Sequence, residues 1–284
     1  MGNILEVSGL NKSYAGFSLT DVGFALPEGC ITGFIGINGA GKTTTIRAIL
    51  GLAKKDSGAI RIFGEDFDGN EQEIKNRIGV VLDEGYFYDD MTIAEMKNVI
   101  APSYTQWSDS DYKENMDKFS LNPRQKIATL SRGMRMKFAL TLALSHKAEL
   151  LIMDEPTSGL DPLIRSELLE MMADFMNGGG KAVSFSTHIT SDLEKIADMI
   201  ILIHDGKVLF EKERDWLFDN YRLIKGDSKT LTENNRDLFL SIHATGFGFT
   251  ALTDNLQDTR KIMPEAIIER PTIEDIMLAH IERR

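Results

Sequence analysis

Four short stretches carry residues whose types and spacing can do chemistry. "GINGAGKT", Gly36 to Thr43, fits G-x-x-x-x-G-K-[ST]. Glycines let such a loop curl without Cβ clashes, so its backbone N–H groups can wrap phosphate oxygens. Lys42 is then set to reach the β/γ-phosphates of a nucleotide, and Thr43 to hold Mg²⁺. "LLIMDE" reads as a buried strand with Asp154 at its carboxyl end, where open α/β sheets bind ligands. Asp154 is placed to reach Mg²⁺, and Glu155 beside it to polarise an attacking water. "FSTH" puts His188 at the end of another apolar strand, for contact with the γ-phosphate. Taken singly, these are a glycine-rich turn, a solvated carboxylate pair and a structural histidine. Taken together they describe one phosphate site. The fourth stretch, "LSRGMRMKF" from 130 to 138, sets Arg132, Arg135 and Lys137 around a helix start capped by Ser131. A helix N-terminus is already partly positive, so these cations call for an anion in front of them.

The flanking pattern supplies the elements that must position these groups. Short apolar pieces, "ILEV", "FSLTDVGFAL", "CITGFIG" and "GAIRIFG", predict strands. A helix follows the phosphate loop, with Ile46, Ile49 and Leu50 on one face and Gly51 as its stop. Residues 90 to 147 read as mainly helical: Thr92 and Glu95 form a capping box, and "SDSDYKENMDKF" and "SRGMRMKFALTLALS" begin two further helices. "ELLIMDE" and "KAVSFSTH" have the continuous apolar character of buried parallel strands. Helices are expected from Pro162 and Ser191, and "MIILIHDGKVLF" predicts a hairpin turning at Asp205-Gly206. The fold class is therefore α/β, with a small α+β appendix after about residue 214. That divides the chain into 1–214, containing a helical subdomain at about 85–150, and 215–284.

Bulk properties narrow the partners. Lys and Arg total 32 against 43 Asp and Glu, a formal net charge of −11. That argues against nucleic acid as the main ligand. The single cysteine, Cys30, allows no disulfide within the chain and suits a reducing cytosol. No signal-peptide pattern opens the sequence, and no apolar run reaches the ~18 residues of a membrane span. Work at a membrane would require docking on another chain.

The pieces "GINGAGKTT", "LSRGM", "LLIMDEP", "SGLD" and "STH", in this order, resemble the nucleotide-binding subunit of an ABC transporter over roughly residues 1 to 214. The resemblance implies a P-loop core of mixed sheet, an antiparallel β subdomain and an inserted helical subdomain. It implies ATP and Mg²⁺ as ligands. Tyr14 resembles the aromatic that stacks on adenine. Gly36, Asn38, Gly39, Ala40, Gly41, Lys42, Thr43 and Thr44 resemble the phosphate loop, with Thr43, Asp154 and Asp83 toward the metal. Glu155 resembles the catalytic glutamate, Ser158 to Asp161 the D-loop and His188 the switch histidine. Such subunits close head to tail, with ATP between one chain's phosphate loop and the other's signature. Ser131, Arg132, Gly133 and Asp161 are then expected to face nucleotide, and a partner's ATP would be the anion that meets the cations of "SRGMRMK".

Two departures stand out. The family signature is L-S-G-G-Q, and here Arg132 and Met134 replace Gly and Gln. Asp83 stands where the family usually has Gln. Arg132 is expected either to point to solvent or to offset Asp83 across a closed dimer. The variant pair "VVLDEGYFY" and "LSRGM" resembles a bacterial exporter branch that includes YtrB-like and phenol-soluble modulin exporter ATPases. The implied function is an ATP-hydrolysing motor, homodimeric or heterodimeric, that powers a separately encoded transmembrane permease from the cytoplasmic face. The implied cargo class is peptides or antimicrobial compounds. The alternatives are a non-transport ABC ATPase, such as an iron–sulfur assembly ATPase, and a catalytically dead nucleotide sensor. In "LDEGYFYDD", Tyr86, Phe87 and Tyr88 with Asp83, Glu84, Asp89 and Asp90 form an expected docking site for a basic permease helix, the rings otherwise tucking into their own subdomain.

Overall fold

The computed structural model describes residues 2–83 and 87–282, apart from the side chain of Asn234. Its first strands, β1 (Asn3–Tyr14) and β2 (Phe17–Pro27), pair antiparallel, and Leu5, Val7, Leu10, Leu19, Val22 and Leu26 are buried. β3 (Ile31–Ile35) is buried at every position and runs into the phosphate loop and α1 (Lys42–Ile49), whose Ile46, Ala48 and Ile49 face the core. β4 (Ser57–Ile62) and β5 (Glu65–Asp66) complete a sheet ordered β2-β1-β4-β5. α2 (Phe67–Lys75) breaks at Gly69, φ 97°, which explains why no helical period marks it in the sequence. β6 (Ile78–Val81) was also not evident beforehand, because four residues carry too little pattern.

The helical layer follows. α3 (Ile93–Ile100) begins at the Thr92/Glu95 capping box, α4 (Asp109–Lys118) at Ser108 and α5 (Arg132–Leu144) at Ser131. The chain then returns to the sheet through β7 (Leu150–Asp154), α6 (Pro162–Phe175), β8 (Ala182–Thr187), α7 (Thr190–Ile196), β9 (Met199–His204) and β10 (Lys207–Glu213). The six strands lie in the order β10-β9-β3-β8-β7-β6. All neighbours are parallel except the β9–β10 hairpin. Asp205 and Gly206 take φ of 45° and 69° there, the left-handed pair that a tight hairpin turn requires. This order makes β3, β8 and β7 neighbours, so the residues at their carboxyl ends converge.

The remaining chain forms α8 (Arg214–Asn220), β11 (Arg222–Gly226), α9 (Glu233–Arg236), β12 (Ser241–Ala244), β13 (Phe249–Thr253), α10 (Leu256–Ile262), β14 (Ile267–Glu269) and α11 (Ile273–Glu282). Its antiparallel sheet, ordered β12-β13-β11-β14, has a small core of Ile224, Phe249, Ala251 and Met263. Leu217 and Phe218 of α8 and Ile273, Ile276 and Met277 of α11 instead join the main core. The Ile273 N–H donates to Glu194 Oε1 of α7 at 2.9 Å. The appendix is thus fastened to the helix that follows His188. Among the described residues, no helix is long and apolar enough to cross a membrane.

Candidate active site

Two glycines of the phosphate loop, Gly36 and Gly41, sit where a side chain would meet backbone or core. A Cβ on Gly36 would lie 2.4 Å from the Ile203 carbonyl oxygen. One on Gly41, φ 115°, would lie 2.8 Å from Leu19 Cδ2. Gly39 has φ 81° and open space on its outer side, and Asn38 beside it is exposed while Ala40 is buried. The N–H groups of Lys42, Thr43 and Thr44 form the first turn of α1, where a helix offers no internal acceptors. They and the positive helix end form a ready anion site. The Lys42 side chain is only 6% exposed. Its Nζ donates to the Gly36 carbonyl at 2.7 Å and lies 3.3 Å from Glu155 Oε1.

At the end of β7, Asp154 is buried and accepts a 2.5 Å hydrogen bond from Ser186 Oγ. The Glu155 N–H donates to that same Oγ at 2.9 Å. Ser186 therefore relays a backbone donor to a carboxylate, a role that sequence reasoning missed. Its strand carries three buried hydroxyl residues, Ser184, Ser186 and Thr187, and nothing in the sequence singled out Ser186 among them. Glu155 holds φ 50°, a left-handed conformation costly for a residue with a Cβ. That backbone turns its carboxylate back over the phosphate loop. Glu155 Oε2 lies 2.7 Å from His188 Nδ1, so one carboxylate bridges the lysine of α1 and the histidine beyond β8. Lys42, Asp154, Glu155 and His188 are brought together as expected.

The arrangement suits a magnesium–triphosphate ligand. Magnesium takes one or two protein groups and completes its shell with water and phosphate oxygens. Among the described residues no cluster of three or more His, Cys, Asp or Glu could hold a metal. The exposed Thr43 hydroxyl and the Asp154 carboxylate are the side chains available for a phosphate-borne ion. Tyr14 is half exposed, with Lys12 Nζ 5.1 Å from its ring centre.

Three residues expected near nucleotide or metal have partners within this chain. Asp161 caps α6: its Oδ1 accepts from the N–H groups of Leu163 and Ile164, each at 3.1 Å. Asp83, expected near the metal, forms an ion pair with Arg132. Arg132 therefore pairs with Asp83 within its own subunit, each side chain remaining partly exposed. The other cations of this helix start are also met in cis, Arg135 by Asp89 at 2.8 Å and Lys137 by Glu167 at 2.5 Å. The anions that offset the helix dipole come from this chain. Ser131 Oγ accepts from the Met134 N–H at 3.2 Å, and Gly133 is buried against Ile164.

In the acidic aromatic stretch, Phe87 tucks against Phe138 with ring centres 5.0 Å apart, while Tyr88 is 63% exposed. Glu84 and Tyr86 lie outside the described residues. A further network, unforeseen from sequence, stands behind the site. Asp192 is fully buried and accepts from Thr157 Oγ1 at 2.7 Å and from Arg165 Nε at 2.6 Å. It ties the loop after Glu155 to α6 and α7.

Comparison with known proteins gives the family. Residues 19–158 match the family model described as ABC transporter. The bacitracin transport ATP-binding protein BcrA of Bacillus licheniformis is 36% identical over 220 residues, 76% of this chain and 72% of that protein. The lantibiotic transport ATP-binding protein SrtF of Streptococcus pyogenes is 32% identical over 75% of this chain and 92% of its own. A solved ATP-binding subunit of an ABC transporter superposes with a TM-score of 0.69 at 30% identity, covering 76% of this chain and 92% of that one.

Proposed function

The chain belongs to the ABC transporter ATP-binding family, and from that premise we propose that it binds and hydrolyses ATP with Mg²⁺ to power a membrane exporter. The observation that carries the proposal is Glu155, held between Lys42 at 3.3 Å and His188 at 2.7 Å beside the phosphate loop. In this reading the loop N–H groups and Lys42 bind the β- and γ-phosphates, and Tyr14 stacks on the base. A bound Mg²⁺, held by Thr43 and Asp154, supplies charge neutralisation on the phosphates. Glu155 orients the attacking water and takes its proton as the oxygen–phosphorus bond forms and the bond to the ADP oxygen breaks. His188 fixes the Glu155 carboxylate and adds a contact to the γ-phosphate.

Two such subunits would close on ATP, with the Ser131 end of α5 facing the partner's nucleotide. The chain would sit on the cytoplasmic face of a permease, and the relatives' names favour peptide antibiotics as cargo. Among the described residues of the acidic stretch, Tyr88 is exposed and available as a docking anchor. The appendix, through α11 on α7, is a route for tuning the His188 loop.

Glu155→Gln tests the core of this reading. Hydrolysis should fall by roughly 10²–10⁴, the usual contribution of a general base, while ATP binding persists. An ATP-dependent dimer should accumulate in size-exclusion chromatography. Turnover close to wild type would overturn the assignment.

A further inference from the structure

We propose that Arg132 and Arg135 form a two-point clamp on the segments 82–83 and 87–91, with Arg132 acting as a positioning residue for the hydrolytic loops. The inference rests on the ATPase reading and adds a coupling element to it. α5 opens with cations where its dipole disfavours them, so these side chains need close anions. Arg132 finds Asp83, just beyond β6, and Arg135 finds Asp89, further along the same loop. Phe87, between them, packs on Phe138. Residues 132, 135 and 138 recur at intervals of three, so each is a surface neighbour of the next on the helix. The described residues of the loop therefore meet α5 at three points. Its return arm is fixed to the segment before α5, since the Ala128 N–H donates to the Asp89 carbonyl at 3.0 Å and the Ile127 N–H to Met91 at 2.9 Å.

Arg132 makes a further contact. A Cβ on Gly159 would lie 3.1 Å from Arg132 Nη1, so the guanidinium rests on the bare face of that glycine. Gly159 holds φ 66° in the loop that starts at Glu155. β6 and β7 are parallel neighbours. One guanidinium thus touches the loops leaving both strands, the first bearing the exposed Tyr88 and the second the hydrolytic carboxylate. A displacement of Tyr88 by a bound partner would be carried by its neighbours Phe87 and Asp89 to α5, whose Arg132 rests on the Gly159 loop. Glycine at position 132 could make no such link, and lysine could not match the planar fork to a carboxylate and a glycine face at once.

The test is a double-mutant cycle with Arg132→Gln and Asp83→Asn in the full chain, read by ATPase kcat and KM and by amide hydrogen exchange. Each single change should lower kcat about two- to fivefold, the scale of a partly exposed ion pair, with KM little changed. The double variant should be no slower than the slower single. Exchange should quicken in both the 87–91 and 156–160 segments in either single variant, a readout independent of turnover. The charge swap Arg132→Asp with Asp83→Arg should recover part of the loss. Should Arg132→Gln fold poorly, Arg132→Lys replaces it, with partial rescue of kcat expected. Multiplying effects in the double variant, or exchange confined to the mutated segment, would overturn the clamp. Glu155→Gln runs alongside: absence of any ATP turnover sensitive to it would instead remove the ATPase reading, with exchange alone then deciding the clamp.

Discussion

Gly133 offers a test that separates packing from ligand contact at the start of α5. The direction in which its Cβ would grow points into its own subunit, 2.7 Å from Ile164 Cδ1 and 3.2 Å from Ile164 Cγ2. Relief to ordinary contact needs about 1 Å, which forces Ile164 off its rotamer at a cost of about 0.5–1.5 kcal/mol or displaces α5 at about 1–3 kcal/mol. Alanine returns about 0.8–1.0 kcal/mol over glycine in a helix. Gly133→Ala should therefore cost about 1 kcal/mol net, a fall in Tm of about 2–4 °C for a chain of this size. Ile164→Val removes the obstructing Cδ1. In that background the same alanine should be neutral or stabilising, with a coupling above about 0.5 kcal/mol. Thermal unfolding of the four proteins gives the cycle, and ATPase rates should follow the same order, because the groups that face outward, Ser131 Oγ and the first N–H groups, are unchanged. Two results would refute this reasoning: equal Tm changes in both backgrounds, or a Gly133→Ala protein of wild-type stability that is inactive in both. The latter would mean that the glycine answers to nucleotide.

Asp192→Ala should destabilise the fold by about 3 kcal/mol, since it leaves the Arg165 guanidinium without its buried carboxylate and Thr157 without an acceptor; denaturant unfolding measures it, and a loss under 1 kcal/mol would show that the network is dispensable. His146 is buried, with its ring nitrogens 3.1 Å from the carbonyls of Leu142 and Ile78, and burial holds its pKa below the ordinary value despite the pull of both carbonyls. The unfolded chain therefore takes up the proton first: the stabilising contribution is full above pH ~6.5 and is lost as pH falls toward the folded-state pKa. Tm measured from pH 8 to 5 should fall more in the wild type than in His146→Asn, and parallel curves would contradict this.

The parts legible in the sequence were those whose physics is local. A phosphate loop needs its glycines, lysine and threonine within eight consecutive residues, because one curl of backbone and one helix start do the binding. Asp154, Glu155 and His188 were legible because strand ends in a parallel sheet collect at one edge whatever lies between them. The capping box at Thr92 and the Asp205-Gly206 turn are likewise decided within four residues. What could not be read was pairing across the chain. Arg132 and Asp83 are 49 positions apart, and Asp192 is 35 from Thr157. Their meeting depends on which strands become neighbours. The α6 capping role of Asp161 was not read either, since an aspartate before a proline serves a helix as readily as a ligand.

The cations of "SRGMRMK" show why this distinction matters for function. Charge at a helix start demands an anion but does not say whose. A motif resemblance supplied ATP from a second subunit, while the fold supplies Asp83, Asp89 and Glu167 from the same one. With the dipole already offset in cis, nucleotide arriving at Ser131 would meet the helix N–H groups and the serine hydroxyl, with no uncompensated cluster of positive charge. In the proposed dimer, attraction between subunits should then depend less on salt than a bare basic patch would make it. Removing Asp83 and Asp89 together should restore that dependence, because long-range attraction between exposed charges is what salt screens. The consequence follows from the arrangement of carboxylates around α5, and the five letters of the signature alone do not contain it.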